Sequence, residues 1–247
     1  METPLIAKKL FNRMRRHLPP QKSRKRISDR KVLSGIFWII ITGSAWRQLP
    51  EFFGKWTTIY SRFMRWSKTG IFEKIFKIFA KRVKKRCNAM IDSTYVRAHR
   101  TASICACEDK DRKIETSRGG KTTKIHILCN EDGIPFDYLI TGGNVYDVKV
   151  ALDLLGMHPI TGLIADKAYG SKELRNELER RNIEICIPPK SNANTPWPYD
   201  KKSYKKRHKI ENIFARLKDP KGIALRMCRC AHTFSSFVCL TLIKLYF

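Results

Sequence analysis

Hydrophobic residues in the first third of the chain recur at the spacing of amphipathic helices. Ser28 is a favourable N-cap for a helix that runs to about Thr42, and Gly43 is suited to end it. A second helix is predicted by an apolar stripe made of Trp56, Ile59, Tyr60, Phe63 and Trp66. A third follows Gly70, and its buried side would carry Ile71, Phe72, Ile75, Phe76 and Phe79. The front of the chain is therefore expected to be all-helical.

The apolar pattern changes near residue 89, where the alternation typical of strands replaces helical spacing. Strands are predicted over 90–92, 123–130, 136–141, 163–166 and 184–187, with a hairpin turn at 131–133. Helices are predicted over about 145–155, 171–181, 204–218 and 231–246, and the span 98–120 is expected to be irregular. This is the element order of a ribonuclease-H-like fold. The sequence thus predicts an α/β, ribonuclease-H-like domain over 89–247, preceded by a small all-helical, helix-turn-helix-like domain over 1–88.

The charge of the chain limits its partners. It carries 50 Lys and Arg against 22 Asp and Glu, a formal net charge of +28. Residues 1–90 alone contain 23 basic and 4 acidic residues. Repulsion among so many positive charges destabilises a compact chain, and a polyanion would neutralise it. Double-stranded DNA is therefore the expected partner. No apolar run reaches the ~20 residues of a membrane span, and no signal-peptide pattern is present, which favours a cytoplasmic, nucleoid-associated protein without membrane contact.

One face of the predicted helix over 56–66 is polar and basic. Its members are Thr58, Ser61, Arg62 and Arg65. Their spacing of i, i+3, i+4 and i+7 would let them lie in a DNA major groove as a recognition helix does. The alternative is the solvated outer face of a helical bundle. The lysines of the next helix would contact backbone phosphates or keep the surface solvated, and these are Lys74, Lys77, Lys81 and Lys84.

Three acids stand in settings that suit metal ligands. Asp92 and Asp166 each end a short apolar strand, and Glu211 lies in the predicted helix over 204–218. A carboxylate at the end of a buried strand needs a cation to offset its desolvation. In a ribonuclease-H arrangement the strands of Asp92 and Asp166 are neighbours. The three acids would then converge and hold two Mg²⁺ or Mn²⁺ ions for phosphoryl transfer.

Polar residues accompany Glu211 on its helix. Tyr204, Arg207 and Lys218 lie on the same helical face as Glu211, because the four are spaced 3, 4 and 7 residues apart. Arg207 and Lys218 can bind DNA phosphates, and Tyr204 can stack on a displaced base or hydrogen-bond a phosphate. Taken alone, Arg207 and Glu211 would be an ordinary surface pair at i, i+4.

These motifs resemble those of bacterial insertion-sequence transposases of the DDE type. Residues 204–218 match the family's Y-x2-R-x3-E-x6-K signature. Asp92 in Ile-Asp-Ser-Thr and Asp166 in Ala-Asp-Lys-Ala-Tyr look like its first and second acid motifs. Further family segments match 43–50, 117–126 and 141–147, so the resemblance extends from about residue 27 to the end.

The resemblance implies a metal-dependent enzyme with Asp92, Asp166 and Glu211 as catalytic acids and metal ligands. Such an enzyme would bind the terminal inverted repeats of its element, cut there, and join the freed 3′-hydroxyls to target DNA as a homodimer or higher oligomer. Two rivals stay open: a related metal-dependent nuclease or resolvase, and a DNA-binding derivative without catalysis. Tyr146 and Gly170 stand where relatives often carry His and Asp, but neither position is an expected metal ligand.

His126 and Asp147 are accessory candidates. His126 lies on a strand expected beside that of Asp92, where it would contact DNA or a catalytic acid, or serve only as a structural residue. Asp147 can cap the helix that begins there. The pairs Cys105/Cys107 and Cys228/Cys230 lack the spacing of a zinc site, so reduced thiols are expected.

Overall fold

The computed structural model describes residues 5–20, 27–83, 87–103, 112–156, 158–189 and 197–247. Its helices are α1 Lys8–Arg15, α2 Asp29–Thr42, α3 Trp56–Lys68, α4 Ile71–Ala80, α5 Arg100–Ser103, α6 Asp147–Leu155, α7 Lys172–Arg180, α8 Lys201–Tyr204, α9 His208–Lys218, α10 Lys221–Ala224 and α11 Ala231–Lys244. Its strands are β1 Asn88–Ala98, β2 Glu115–Ser117, β3 Gly120–Asn130, β4 Pro135–Gly142, β5 Gly162–Ala165, β6 Glu184–Cys186 and β7 Leu225–Arg226. The candidate phosphate contact Lys84 and the pair Cys105/Cys107 lie outside the described residues.

Contacts divide the chain into two compact units. The helical unit comprises Met1–Phe76, Ala98–Arg112 and Leu217–Phe247, and the α/β unit comprises Lys77–Arg97 and Lys113–Arg216. The C-terminal helix α11 therefore groups with the N-terminal helices. As a division of function, the predicted split into 1–88 and 89–247 stays a prediction.

The helical unit begins as its sequence pattern predicts. Ser28 caps α2 by accepting a hydrogen bond from the Lys31 amide at 3.3 Å, and Gly43 ends it in the left-handed conformation, with φ 65°. Helix α3 buries Ile59, Phe63 and Trp66 of its predicted apolar stripe, whereas Tyr60 is exposed. The ring centroid of Phe63 lies 5.2 Å from that of Phe237 on α11. The α3–α11 contact is thus part of the core of this unit, although the two helices are far apart in sequence.

The α/β unit is built on a mixed sheet. Strand β3 pairs antiparallel with β1, β2 and β4, and β5 pairs parallel with both β1 and β6. The resulting order β4–β3–β1–β5–β6 is that of a ribonuclease-H-like sheet, and β2 forms a short hairpin with β3. Helices α6 and α7 supply Leu154, Leu174 and Leu178 to the core cluster that includes Ile91 and Leu128 of the sheet. The predicted fold class is confirmed.

The structure differs from the sequence pattern in several places. Strand β1 extends to Ala98, so Asp92 lies within the strand and not at its end as predicted, and α10 and β7 were not predicted. The helix predicted over 204–218 is divided into α8 and α9 by a tight 3-10 turn at Lys205–Arg207. The span 98–120, expected to be irregular, contains α5 and β2, and α1 was not predicted. None of the described helices has the length and apolar character that a bilayer crossing requires.

Candidate active site

Two of the three acids lie side by side on the central strands of the sheet, where β5 ends beside β1. Strands β1 and β5 are parallel, and Ile91 pairs with Ala165. Asp92 follows Ile91 and Asp166 follows Ala165, so the two acids lie beside each other. Asp92 stays on β1, whereas Asp166 follows β5 and caps a 3-10 turn by accepting a hydrogen bond from the Ala168 amide at 3.3 Å. The parallel pairing therefore brings these carboxylates together as predicted.

The guanidinium of Arg207 joins these two acids to the third. Its Nη2 lies 2.5 Å from Asp92 Oδ2 and 3.7 Å from Asp166 Oδ2, and its Nη1 donates to Glu211 Oε1 at 2.6 Å. Glu211 is one turn further along, near the start of α9. All three predicted acids thus converge on one cationic side chain.

The acids differ in their exposure to solvent. The Asp92 side chain is 14% exposed, against 36% for Asp166 and 55% for Glu211. Burial raises the pKa of Asp92, and this effect outweighs the opposing charge of Arg207 and the hydrogen bond from the Ser93 amide. Asp92 is therefore the acid that most needs a cation to stay ionised.

The chemistry of these side chains fits a hard divalent cation, because carboxylate oxygens are the ligands that Mg²⁺ and Mn²⁺ prefer. Their present arrangement is set by Arg207 instead. Within the part of the chain that the structure describes, no group of three or more His, Cys, Asp or Glu side chains is arranged to hold a metal ion. Metal binding would require the carboxylates to close on a cation in place of the guanidinium.

The other residues of the Glu211 motif take different positions. Tyr204 ends α8, and its ring packs against that of Tyr199 with 5.5 Å between centroids. Burial raises the pKa of Tyr204, and the Arg207 charge opposes that shift. Lys218 ends α9, where burial lowers its pKa. Because the 3-10 turn interrupts the helix, the four residues do not share one continuous helical face.

A second charged cluster surrounds His126, which is fully buried on β3 directly opposite Ser93. Its Nε2 lies 2.9 Å from the Thr141 hydroxyl, and its Nδ1 lies 3.5 Å from Asp147 Oδ1. Lys124, two residues earlier on β3, donates to the same Asp147 oxygen at 3.1 Å. The structure therefore brings both accessory candidates together. Lys124 was not predicted, although strand alternation places it on the same face as His126.

The His126 cluster leads to a prediction for stability. Burial lowers the pKa of His126 from 6.5 to about 4, although the Asp147 carboxylate opposes the shift. Between these two pH values, His126 binds more protons in the unfolded chain than in the folded chain. The free energy of unfolding should therefore fall by roughly 3 kcal/mol as pH drops from about 6.5 to 4. Urea denaturation of metal-free protein across this range measures the change. The His126→Asn variant should show a flatter profile.

His17→Gln is the control for this experiment, because His17 is an exposed histidine of the helical unit. Its pH profile should follow that of the wild type. A wild-type slope in His126→Asn would show that His126 is not the titrating group.

The candidate DNA-reading face on α3 is only partly exposed. Thr58, Ser61 and Arg65 are exposed as predicted. Arg62 is 7% exposed, donates to the Ile27 carbonyl at 2.8 Å, and forms an ion pair with Asp29. The prediction of an exposed Arg62 is therefore wrong. Arg62 follows Ser61 directly in the sequence, so its side chain leaves α3 in a different direction and contacts the start of α2 instead of solvent. The exposed Lys68 continues the stripe of 58, 61 and 65 and was not predicted.

No disulfide bond joins the cysteines of the described residues. Cys228 and Cys230 are both unbridged, and burial raises the pKa of Cys228 to about 11. A protonated thiol is a poor metal ligand. The expectation of reduced thiols at this pair stays a prediction.

Three family models match the chain. Residues 6–76 match the family described as "Putative transposase of IS4/5 family". Residues 84–196 and 163–247 match two models that are each described as "Transposase DDE domain". The match over 84–196 contains Asp92 and Asp166, and the match over 163–247 contains Asp166 and Glu211.

Named relatives are similar over parts of the chain. A putative transposase for insertion sequence element IS6501 from Brucella ovis is 33% identical over 121 residues, which is 47% of this chain and 92% of that protein. The uncharacterized protein y4sN from Sinorhizobium fredii is 33% identical over 78 residues, and the match spans 32% of this chain and 62% of that protein. Among solved structures, the Mos1 transposase paired-end complex with left transposon end shares 10% identity over 82% of each chain, with a TM-score of 0.27.

Proposed function

The chain belongs to the insertion-sequence transposases with a DDE domain, and we propose that it catalyses metal-dependent cleavage and strand transfer at the ends of its element. It would bind the terminal inverted repeats, cut beside them, and join the freed 3′-hydroxyls to target DNA. Because two ends must be joined to one target, it would act as a homodimer or higher oligomer on DNA.

One observation carries this proposal: Asp92, Asp166 and Glu211 converge on the guanidinium of Arg207. The three carboxylates bring a charge of −3 when ionised, and Arg207 brings +1. A site with this surplus of negative charge repels a DNA phosphate unless further cations enter. Two divalent ions would supply that charge, activate the attacking oxygen and stabilise the leaving oxygen.

The chain's own residues would then place the DNA. Asp92 and Asp166 are held by paired strands, so their carboxylates are positioned rigidly. Arg207 and Lys218 would bind phosphates, and Tyr204 would contact a base or a phosphate beside the scissile bond. His126 and Asp147 would act as positioning residues. His126 lies on β3, the strand paired with that of Asp92, and Asp147 begins α6.

DNA recognition is assigned to the helical unit. The front of the chain carries most of the excess charge, which favours binding to a polyanion. On α3, Thr58, Ser61 and Arg65 form an exposed stripe suited to a major groove. Catalysis is assigned to the α/β unit, so the proposed division of labour follows the predicted boundary near residue 88, except that α11 supports the DNA-binding helices.

An integration assay tests this function. Purified full-length protein is incubated with Mg²⁺, a plasmid that carries the inverted repeats flanking its gene, and a target plasmid. Cleavage at both repeats followed by joined products is the expected result. Cleavage at branched DNA without regard to the repeats would favour the nuclease or resolvase alternative, and binding without cleavage would favour the inactive derivative.

Arg65→Ala tests the recognition stripe. If Arg65 reads a base, the variant should lose ~1–3 kcal/mol of binding free energy on the element end and little on scrambled DNA. Lys81→Ala, which changes an exposed lysine just after α4, should weaken both duplexes equally and lower the salt slope. Binding titrations at several salt concentrations measure both effects. Equal losses on both duplexes for Arg65→Ala would remove it from base recognition.

These titrations need the whole chain. Residues 1–88 alone would lack α11, whose Phe237 packs against Phe63 of α3. A fragment that failed to bind would then report lost packing rather than lost recognition.

A further inference from the structure

Arg207 makes an unusual set of contacts. Both Nη atoms bind the three acids, while its Nε is buried and has no hydrogen-bond partner within the described part of the chain. A buried, unsatisfied donor is costly, so the guanidinium is held by the acids at the expense of its own hydrogen bonding. A move of the guanidinium away from the acids would let Nε and one Nη bind an anion in a bidentate manner.

The contacts of Arg207 occupy oxygens that a metal ion would need. Asp92 Oδ2 and Glu211 Oε1 each lie within 2.6 Å of a guanidinium nitrogen. A divalent cation cannot coordinate these oxygens in the same geometry while the guanidinium stays there. Arg207 also ends the 3-10 turn between α8 and α9, and such turns inside a helical stretch often mark hinges.

We propose that Arg207 stands in for the divalent cations in the DNA-free chain and leaves the carboxylates when those cations bind, which frees its guanidinium to bind a DNA phosphate. The proposal rests on the function proposed above and adds a regulatory property to that site. Metal and DNA phosphate then support each other's binding, because each favours the position of Arg207 that the other requires.

This coupling is reciprocal by thermodynamic necessity. If DNA raises the affinity of the site for metal, metal raises the affinity for DNA by the same factor. The consequence would be a site that binds metal weakly while its own arginine holds the acids, and more tightly once a DNA phosphate has bound that arginine.

Mn²⁺ binding to full-length, DNA-free protein tests the proposal, with free Mn²⁺ followed by electron paramagnetic resonance. Removal of the competing cation in Arg207→Gln should tighten Mn²⁺ binding by about fivefold or more, within the usual range of coupling between linked sites. An uncleaved duplex should tighten Mn²⁺ binding to the wild type by a similar factor, and should have little further effect on Arg207→Gln.

Two further variants make the outcome unambiguous. Lys206→Gln is the matched control, because Lys206 lies on the same turn but pairs with Glu131 at 3.1 Å, and it should bind Mn²⁺ as the wild type does. Weaker Mn²⁺ binding in Arg207→Gln would overturn the proposal, since Arg207 would then only hold the acids in place. Unchanged binding in Asp92→Asn would instead contradict the proposed metal site itself, so the two failures are distinguishable.

Discussion

Asp92→Asn, Asp166→Asn and Glu211→Gln are each expected to lower the rate of strand cleavage by about 10³-fold or more, because metal-ligand charge contributes several kcal/mol to phosphoryl transfer. Binding of the element end should stay near the wild-type value, since recognition is assigned to the helical unit. Single-turnover cleavage of a labelled end duplex measures the rate, and a binding titration in Ca²⁺ measures the affinity.

Control variants exclude loss of folding as the cause. Asp153→Asn and Glu173→Gln change exposed acids on α6 and α7 and should cleave at the wild-type rate. Burial raises the folded-state pKa of Asp92, so its contribution to stability falls as pH rises from 3.8 through that raised pKa. Asp92→Asn should therefore unfold at no lower temperature than the wild type at neutral pH. Near-normal cleavage by any one of the three variants would remove that acid from the site.

Cleavage is also expected to depend on the identity of the metal. Mg²⁺ and Mn²⁺ should support it, whereas Ca²⁺ should support binding without chemistry because its looser, larger coordination shell misplaces the attacking oxygen. Excess EDTA should abolish cleavage, and added Mn²⁺ should restore it. A gel assay of end-duplex cleavage with each ion in turn separates these outcomes. Full activity in EDTA would be incompatible with a metal-dependent site.

Much of the fold follows from local patterns. The caps Ser28 and Gly43, the buried stripe of Phe63 and the alternation of β3 are short-range signals, and each leads to the element that the structure contains. The packing of α11 against α3 could not be predicted in this way, because it joins residues whose apolar patterns carry no information about their partner. The 3-10 turn before α9 was missed for a similar reason, since the spacing of Tyr204 and Glu211 also suits an unbroken helix.

The candidate site shows the same limit. The convergence of Asp92 and Asp166 follows from the parallel pairing of two predicted strands, which the element order indicates. Glu211 was added through a motif rather than through geometry. The position of Arg207 among all three acids depends on side-chain packing across 115 positions of sequence, beyond any local pattern. The burial of Arg62 was also missed. Neighbouring positions of a helix point in different directions, so one residue decides whether a side chain faces solvent or the core.

The central claim, that Asp92, Asp166 and Glu211 together bind the metal, can be tested without DNA and without activity. Fe²⁺ replaces Mg²⁺ in the full-length protein, and ascorbate with peroxide then generates hydroxyl radicals at the bound iron, which cut the nearby backbone. Mass spectrometry should find cuts close to residues 92, 166 and 211, and excess Mg²⁺ should suppress all three together. Cuts confined to other parts of the chain, or cuts near these residues that persist in Asp92→Asn, would contradict the claim.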